Sequence, residues 1–143
     1  MYIPKAFVAA SKGCHRNRSN PESTWDEKCI NLRSFAYANK RLSCLIGDSI
    51  ASRFVTRHDH VWRKYFSGWM NAGIGGDCCE NLLHRIESGN VPRECKIAVI
   101  IIGSNNISRD FPEIVAEAII KTAKAVTSAT LSNPAIFVSG VLP

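Results

Sequence analysis

The chain has 143 residues, of which 45% are hydrophobic and 21% charged, a composition typical of a single globular domain. A chain of this length buries roughly 70% of the surface it exposes when unfolded, so a sizeable core is expected. No apolar run approaches the ~18 residues of a membrane span, and the short run at 6–10 is below the length of a signal-peptide core. These features exclude a membrane-spanning protein and favour a cytoplasmic location.

The net charge of +6 is concentrated in the first half of the chain. Residues 1–66 carry 12 basic and 5 acidic side chains, whereas residues 67–143 carry 6 and 7. Such an excess can attract phosphates, anionic lipids or nucleic acid. Basic residues do not alternate with aromatic ones here, so a solvated face or arm explains the charge better. Association with nucleic acid through residues 1–66 is the less favoured alternative.

Six cysteines raise the question of disulfides or a metal site. None forms a C-x-x-C motif, and Cys78 and Cys79 are adjacent, which suits neither zinc binding nor a simple disulfide. We therefore expect reduced thiols, with Cys44 as a small core residue, and neither a metal nor a cofactor.

The first 41 residues show little periodicity and include a polar segment with turn-forming residues at 11–23. We interpret residues 1–41 as a flexible basic N-terminal extension that contains a short helix at 29–38. Residues 42–143 form the predicted domain.

Within that domain, strand-like and helix-like patterns alternate. The predicted strands lie at 43–47, 69–72, 96–103 and 135–142, and the predicted helices at 50–57, 80–86 and 113–127. Such an alternation predicts a parallel three-layer α/β/α sandwich with right-handed crossovers.

Finer expectations concern which side chains face the core. On the first predicted helix we expect Ile50, Phe54 and Val55 to face inward. Asp77 is the expected N-cap of the second, with Glu80 completing a capping box. The apolar run at 97–102 predicts a strand covered on both faces.

A polar, glycine-containing turn follows each of the first three predicted strands. Gly47-Asp48-Ser49 places Ser49 first in a helix at the carboxyl edge of the sheet, where open α/β sheets build their sites. The alternative is that Asp48 or Ser49 serves only as the N-cap of that helix. The turn at 73–76 could be an ordinary tight turn, and a dinucleotide fingerprint would need glycine at Cys78. Gly103-Ser104-Asn105 follows the third strand.

These turns, in this order, resemble the blocks of the SGNH (GDSL-type) hydrolases, and residues 71–106 resemble the platelet-activating-factor acetylhydrolase-like type. The resemblance covers about residues 42–143 and implies a flavodoxin-like strand order and an acyl-esterase acting on a small-molecule ester. It assigns the nucleophile to Ser49 and oxyanion donors to the Ser49 N–H, the Gly76 N–H and the Asn105 side chain. The supporting residues that it implies are Gly47, Asp48 and Gly103.

One block of that family, Asp-x-x-His, supplies the general base, and the chain contains no such motif. It would lie beyond Pro143, so we expect a C-terminally incomplete domain that is inactive as it stands. His15, His58, His60 and His84 are interpreted as surface residues, since a metal pair at His58 and His60 lacks a third ligand. The alternative function is a non-catalytic binding or interaction module with a relict oxyanion pocket, and a homodimer is left open.

Overall fold

A computed structural model describes residues 24–141 of the chain. Its sheet contains β1 (Cys44–Gly47), β2 (Met70–Gly73), β3 (Ile97–Ile101) and β4 (Ala135–Val138). All three pairings are parallel and the strand order is β2-β1-β3-β4. This confirms the predicted α/β class and flavodoxin-like order, although β1, β3 and β4 are shorter than predicted and β2 is shifted by one residue.

Five helices lie between and before these strands. They are α1 (Trp25–Ala38), α2 (Ser49–Thr56), α3 (Asp59–Tyr65), α4 (Cys79–Glu87) and α5 (Pro112–Ala129). Helices α2 with α3, α4 and α5 connect successive strands, as the alternating sequence pattern predicts.

One face of the sheet carries the main core. Alternate residues of the strands, including Ile46, Ala72 and Ile100, are fully buried and pack with α4 and α5 residues such as Leu82 and Val126. Ala36 of α1 belongs to the same core. Helix α1 therefore packs against the α/β unit through this residue.

Helix α2 covers the opposite face at β1 and β2. A Cβ atom at Gly73 would lie 2.4 Å from the Ser52 backbone nitrogen, so only glycine permits this approach. The helix presents the small, fully buried Ala51 to the strand, while Ile50 and Val55 are 37% and 40% exposed. The expectation that Ile50 and Val55 face inward is wrong, because the close packing admits only the smallest side chain.

Four aromatic residues extend the covering on this side. Phe54 of α2 contacts Phe66 edge to face, and Phe66 stacks on Trp62 of α3 and meets Trp69 edge to face. These rings form an aromatic cluster beside β2.

The same face is less covered at β3 and β4. Ile97, Val99 and Ile101 are only half-buried, and Phe137 of β4 is 59% exposed. For the part of the chain described here, the expectation that β3 is covered on both faces is wrong. Helices α2 and α3, which cover this face, lie beside β1 and β2.

Helix α1 extends further than the short helix predicted within the N-terminal extension. It begins at Trp25, where Thr24 forms a capping box with Glu27. The expectation of a flexible arm is therefore wrong for residues 25–38, which are helical. Residues 1–23 of the expected arm lie outside the described residues. The division of the chain at residue 41 stays a prediction.

The five cysteines within residues 24–141 are free thiols, and Cys44 is fully buried as expected. Its sulfur lies 3.5 Å from that of Cys95. The hydrogen bond between the two thiols, together with burial, raises the pKa of Cys44, and the same hydrogen bond lowers the pKa of Cys95. Between Thr24 and Val141, no helix has both the length and the apolarity that crossing a bilayer requires.

Candidate active site

Three turns meet at the carboxyl ends of β1, β2 and β3. These strands are neighbours and run parallel, so the segments that follow them emerge at one edge of the sheet. Direct contacts then connect each turn with the next.

The turn after β1 packs against the end of β3. Gly47 has φ 153°, and a Cβ atom there would lie 1.8 Å from the Ile101 carbonyl oxygen. The Asp48 N–H donates to that same carbonyl at 3.1 Å. A side chain at position 47 cannot be accommodated without separating the two strands.

The Asp48 carboxylate is fully buried and makes two contacts. One oxygen accepts the Ile50 N–H at 2.8 Å, which caps α2, and the other accepts the Ser104 hydroxyl. Capping by Asp48 is therefore correct, and Ser49 follows as the half-exposed first residue of α2. The Ser49 N–H lies among the donors at the start of a helix, where negative charge is favoured.

The turn after β2 passes alongside Ser49. The Ile74 N–H donates to the Gly47 carbonyl at 3.0 Å. A Cβ atom at Gly75 would lie 3.7 Å from that of Ser49, which places this backbone in contact range of the serine. Gly76 has φ 86°, a left-handed conformation that glycine adopts without strain.

The turn after β3 closes the arrangement. The Asn105 side-chain amide donates to the Asp77 carbonyl at 2.8 Å, one residue beyond Gly76. On its other side the Ser104 hydroxyl reaches Asp48, the residue before Ser49. The sequence-predicted residues Ser49, Gly76 and Asn105 are thus each within one residue of a contact that joins their turns.

Gly103 lies where the third turn leaves the sheet. It has φ 111°, and a Cβ atom there would lie 3.0 Å from the Val141 side chain and 3.2 Å from those of Val115 and Ile119. Both the backbone conformation and the crowding favour glycine at this position.

A second set of polar contacts holds this turn on the start of α4. Buried Asn106 accepts the Cys79 N–H at 2.9 Å and donates to Glu80 and Asp110, both at 3.0 Å. Arg109 pairs with Glu80 and Asp110. Hydrogen bonds from Arg109 and Asn106 lower the pKa of Asp110. The hydrogen bonds that Arg109 donates to Asp110 and Glu80 raise the pKa of Arg109.

Asp77 does not cap α4 as the sequence predicts. The N-cap is Cys78, whose N–H donates to Asn81 at 2.9 Å. The fully buried Asp77 carboxylate instead accepts from the Arg85 guanidinium at 2.6 Å and 2.8 Å and from the Trp25 indole at 2.9 Å. A buried cation on α4 competes successfully for the carboxylate because an unpaired buried charge is costly.

Sequence reasoning missed Arg85, Trp25 and Asn106. For Arg85 a signal exists, because a lone arginine lies beside Leu82 and Ile86 on the predicted apolar stripe of α4. Trp25 gives no such signal, since its partner is 52 residues away.

Two of the described histidines contact aromatic rings away from Ser49. His84 stacks on Trp25 and His58 lies edge to face against Phe54. No hydrogen bond found between residues 24 and 141 joins a histidine to Ser49, and His15 lies outside this range. In the same range there is no cluster of three or more histidine, cysteine, aspartate or glutamate side chains suited to a metal ion.

Comparison with known proteins identifies relatives. Platelet-activating factor acetylhydrolase IB subunit alpha1 of Rattus norvegicus is 31% identical over 101 residues, which cover 68% of this chain and 42% of that protein. The Homo sapiens protein of the same name is 30% identical over the same length and coverage. No protein-family model matches the chain.

These relatives and the solved structures that superpose on the chain confirm its resemblance to the SGNH (GDSL-type) hydrolases. A GDSL-like lipase from Bacteroides thetaiotaomicron superposes with a TM-score of 0.66 at 17% identity, covering 84% of this chain and 59% of that structure. An acylhydrolase candidate from Bacteroides fragilis superposes with a TM-score of 0.62 at 20% identity, covering 85% and 61%. These two structures show that the SGNH hydrolase fold is shared, and the chain spans 42% of the length of the acetylhydrolase subunits.

Proposed function

We propose that this chain carries the nucleophile and oxyanion-binding half of an SGNH-type ester hydrolase. Ser49 acts as the nucleophile on the acyl carbon of a small-molecule ester, and the Ser49 N–H, the Gly76 N–H and the Asn105 side chain stabilise the oxyanion. The observation that carries the proposal is the direct contact between the three turns that hold these groups.

The described contacts suit these roles chemically. The Asn105 amide nitrogen carries two hydrogens, and the bond to the Asp77 carbonyl fixes the group with one of them. The other hydrogen can be donated to a substrate oxygen, and this neutral donor needs no protonation. Three donors aimed at one oxygen provide the stabilisation that acyl transfer requires.

A serine hydroxyl is a weak nucleophile until a base removes its proton. The hydrogen bonds described here give Ser49 no histidine partner. In the proposal residues 24–141 supply the residual reactivity that oxyanion stabilisation and binding provide, and full activity needs a general base beside Ser49. Small acyl esters are the substrate class, in keeping with the acetylhydrolase name of the relatives.

The test is covalent labelling of the full chain with a fluorophosphonate probe, with and without added imidazole as an external base. We expect mass spectrometry to find the adduct on Ser49 and imidazole to accelerate its formation. Ser49→Ala should abolish the adduct. Ser128→Ala is the matched control, since Ser128 lies in the last turns of α5 and bonds only to Lys124 among its described contacts.

A third variant tests the oxyanion donor. Asn105→Ala should slow labelling of Ser49 by roughly 10²–10³-fold, the usual cost of losing one such donor. Labelling that is equal in the wild-type chain and Ser49→Ala, or absent with imidazole present, would contradict the esterase proposal. It would favour a non-catalytic module that retains the pocket.

We also propose that the protein is located in the cytoplasm. The support is that the five cysteines between residues 24 and 141 are free, as in proteins of reducing compartments.

A further inference from the structure

We propose that the buried pair Asp77 and Arg85 and the half-buried Trp25 form a positioning network that sets the geometry of the oxyanion-binding turns, and that α1 is therefore part of the catalytic unit. The role of the network in catalysis rests on the proposed function. Its effect on the positions of the Gly76 and Asn105 amides can be tested separately.

The Arg85 guanidinium lies at the centre of this network. It is 1% exposed and donates to the Ala72 carbonyl at 2.9 Å and to the Gly47 carbonyl at 3.1 Å. Those carbonyls belong to the ends of β2 and β1, from which two of the site turns begin. One rigid, planar group therefore fixes the ends of both strands relative to each other.

Asp77 transmits this arrangement to the turns. Its carboxylate is held by Arg85 and Trp25, while its backbone carbonyl accepts the Asn105 amide at 2.8 Å. Gly76 immediately precedes it. A movement of Asp77 therefore displaces the Gly76 N–H and reorients the Asn105 carboxamide together.

Trp25 supplies the contact from outside the predicted domain. Its indole N–H donates to Asp77 at 2.9 Å, and its ring stacks on that of His84 at 6.1 Å between centroids. The hydrogen bond is to a charged acceptor, which makes it stronger than a neutral one. Since α1 also buries Ala36 in the core, the helix holds the indole in place.

None of these three side chains needs to touch the substrate. Their role is to hold donors within the small range of positions in which an oxyanion is stabilised, where a displacement near 1 Å can cost about 10²-fold in rate. They are positioning residues.

The experiment is nuclear magnetic resonance of the full, isotopically labelled chain, comparing Trp25→Phe with Trp62→Phe. Both variants remove an indole and keep an aromatic ring, but Trp62 lies in α3 and stacks on Phe66. We expect Trp25→Phe to shift the Gly76 amide and the Asn105 side-chain amide resonances. Trp62→Phe should leave both unchanged.

Two further measurements complete the test. In the wild-type chain, the Trp25 indole proton should exchange with solvent more slowly than that of Trp62, a readout that needs no variant to fold. Fluorophosphonate labelling of Ser49 should be about tenfold slower in Trp25→Phe than in Trp62→Phe, as expected when one charge-assisted hydrogen bond is lost.

The outcomes separate the two proposals. Unshifted Gly76 and Asn105 resonances in Trp25→Phe, or fast exchange of the Trp25 indole proton, overturn the positioning network. Shifted resonances in a wild-type chain that never labels at Ser49 support the network and contradict the esterase function instead.

Discussion

At the scale of single residues, two glycines determine how closely the elements around the site can approach. Gly47 lies against the Ile101 carbonyl oxygen, and Gly73 lies against the backbone of α2 at Ser52. In both places the neighbour is backbone, which cannot move aside as a flexible side chain can. The approach of β1, β3 and α2 therefore depends on the absence of a Cβ atom.

Gly47→Ala is expected to lower the free energy of unfolding by about 2–4 kcal/mol, from backbone strain at φ 153° combined with overpacking. Urea denaturation measures the change. Gly140→Ala is the matched control, because nothing lies within 4 Å of a Cβ atom there. Equal stability of the two variants would show that the backbone at position 47 accommodates a Cβ atom.

At the scale of elements, charged and amide side chains fix the turn after β3 to the start of α4. Asn106 bonds the backbone of Cys79 and the carboxylates of Glu80 and Asp110, while Arg109 pairs with both carboxylates. This turn includes Asn105, so the cluster also limits how far the candidate oxyanion donor can move. Its strength depends on the ionisation of Asp110.

Because hydrogen bonds from Arg109 and Asn106 lower the pKa of Asp110 in the folded state, ionised Asp110 stabilises the fold at pH values above its ordinary, unfolded-state pKa. The contribution is expected to disappear as the pH falls through the lower, folded-state pKa. Since Arg109 is 45% exposed, we expect less than about 1 kcal/mol.

The measurement is the difference in unfolding free energy between the wild-type chain and Asp110→Asn, from pH 7 down to pH 2. It should be positive at neutral pH and approach zero in acid. Glu117→Gln, at an exposed position of α5, should give a difference near zero throughout. An Asp110→Asn difference that grows toward low pH would contradict the sign of the pKa shift.

At the scale of the whole molecule, the two faces of the sheet are covered unequally. The face toward α4 and α5 holds the fully buried core, whereas the opposite face is covered at β1 and β2 and open beside β3 and β4 within residues 24–141. Phe137 and the half-buried Ile97 and Val99 contribute apolar surface there. Exposed apolar surface of this kind promotes association.

Association of the chain is expected to increase with its concentration, and Phe137→Thr should reduce it. Threonine keeps the preference for a strand, so the free energy of unfolding should change by only a few tenths of a kcal/mol. Sedimentation velocity measures the association. Phe111→Thr is the control, because Phe111 is 78% exposed but lies at the start of α5; an equal effect of both variants would contradict a role for the open sheet face.

The order of strands and helices, the parallel sheet and the three turns could be predicted from the sequence alone. Hydrophobic periodicity and glycine-containing turns are local signals, and they mark each element independently of its neighbours. The capping role of Asp48 has the same local origin, since it involves the N–H two residues later. The family resemblance added the candidate roles of Ser49, Gly76 and Asn105.

The partners of the buried charges and the inward faces of the helices depend on tertiary packing and could not be predicted. Asp77 binds Trp25 and Arg85 rather than capping α4. On α2, Ala51 faces inward and Ile50 is partly exposed. Both outcomes depend on groups far apart in the chain: an indole 52 residues from its acceptor and a glycine on the neighbouring strand. Local patterns carry no information about such pairs, because their energies arise only when packing removes water and brings the groups into contact.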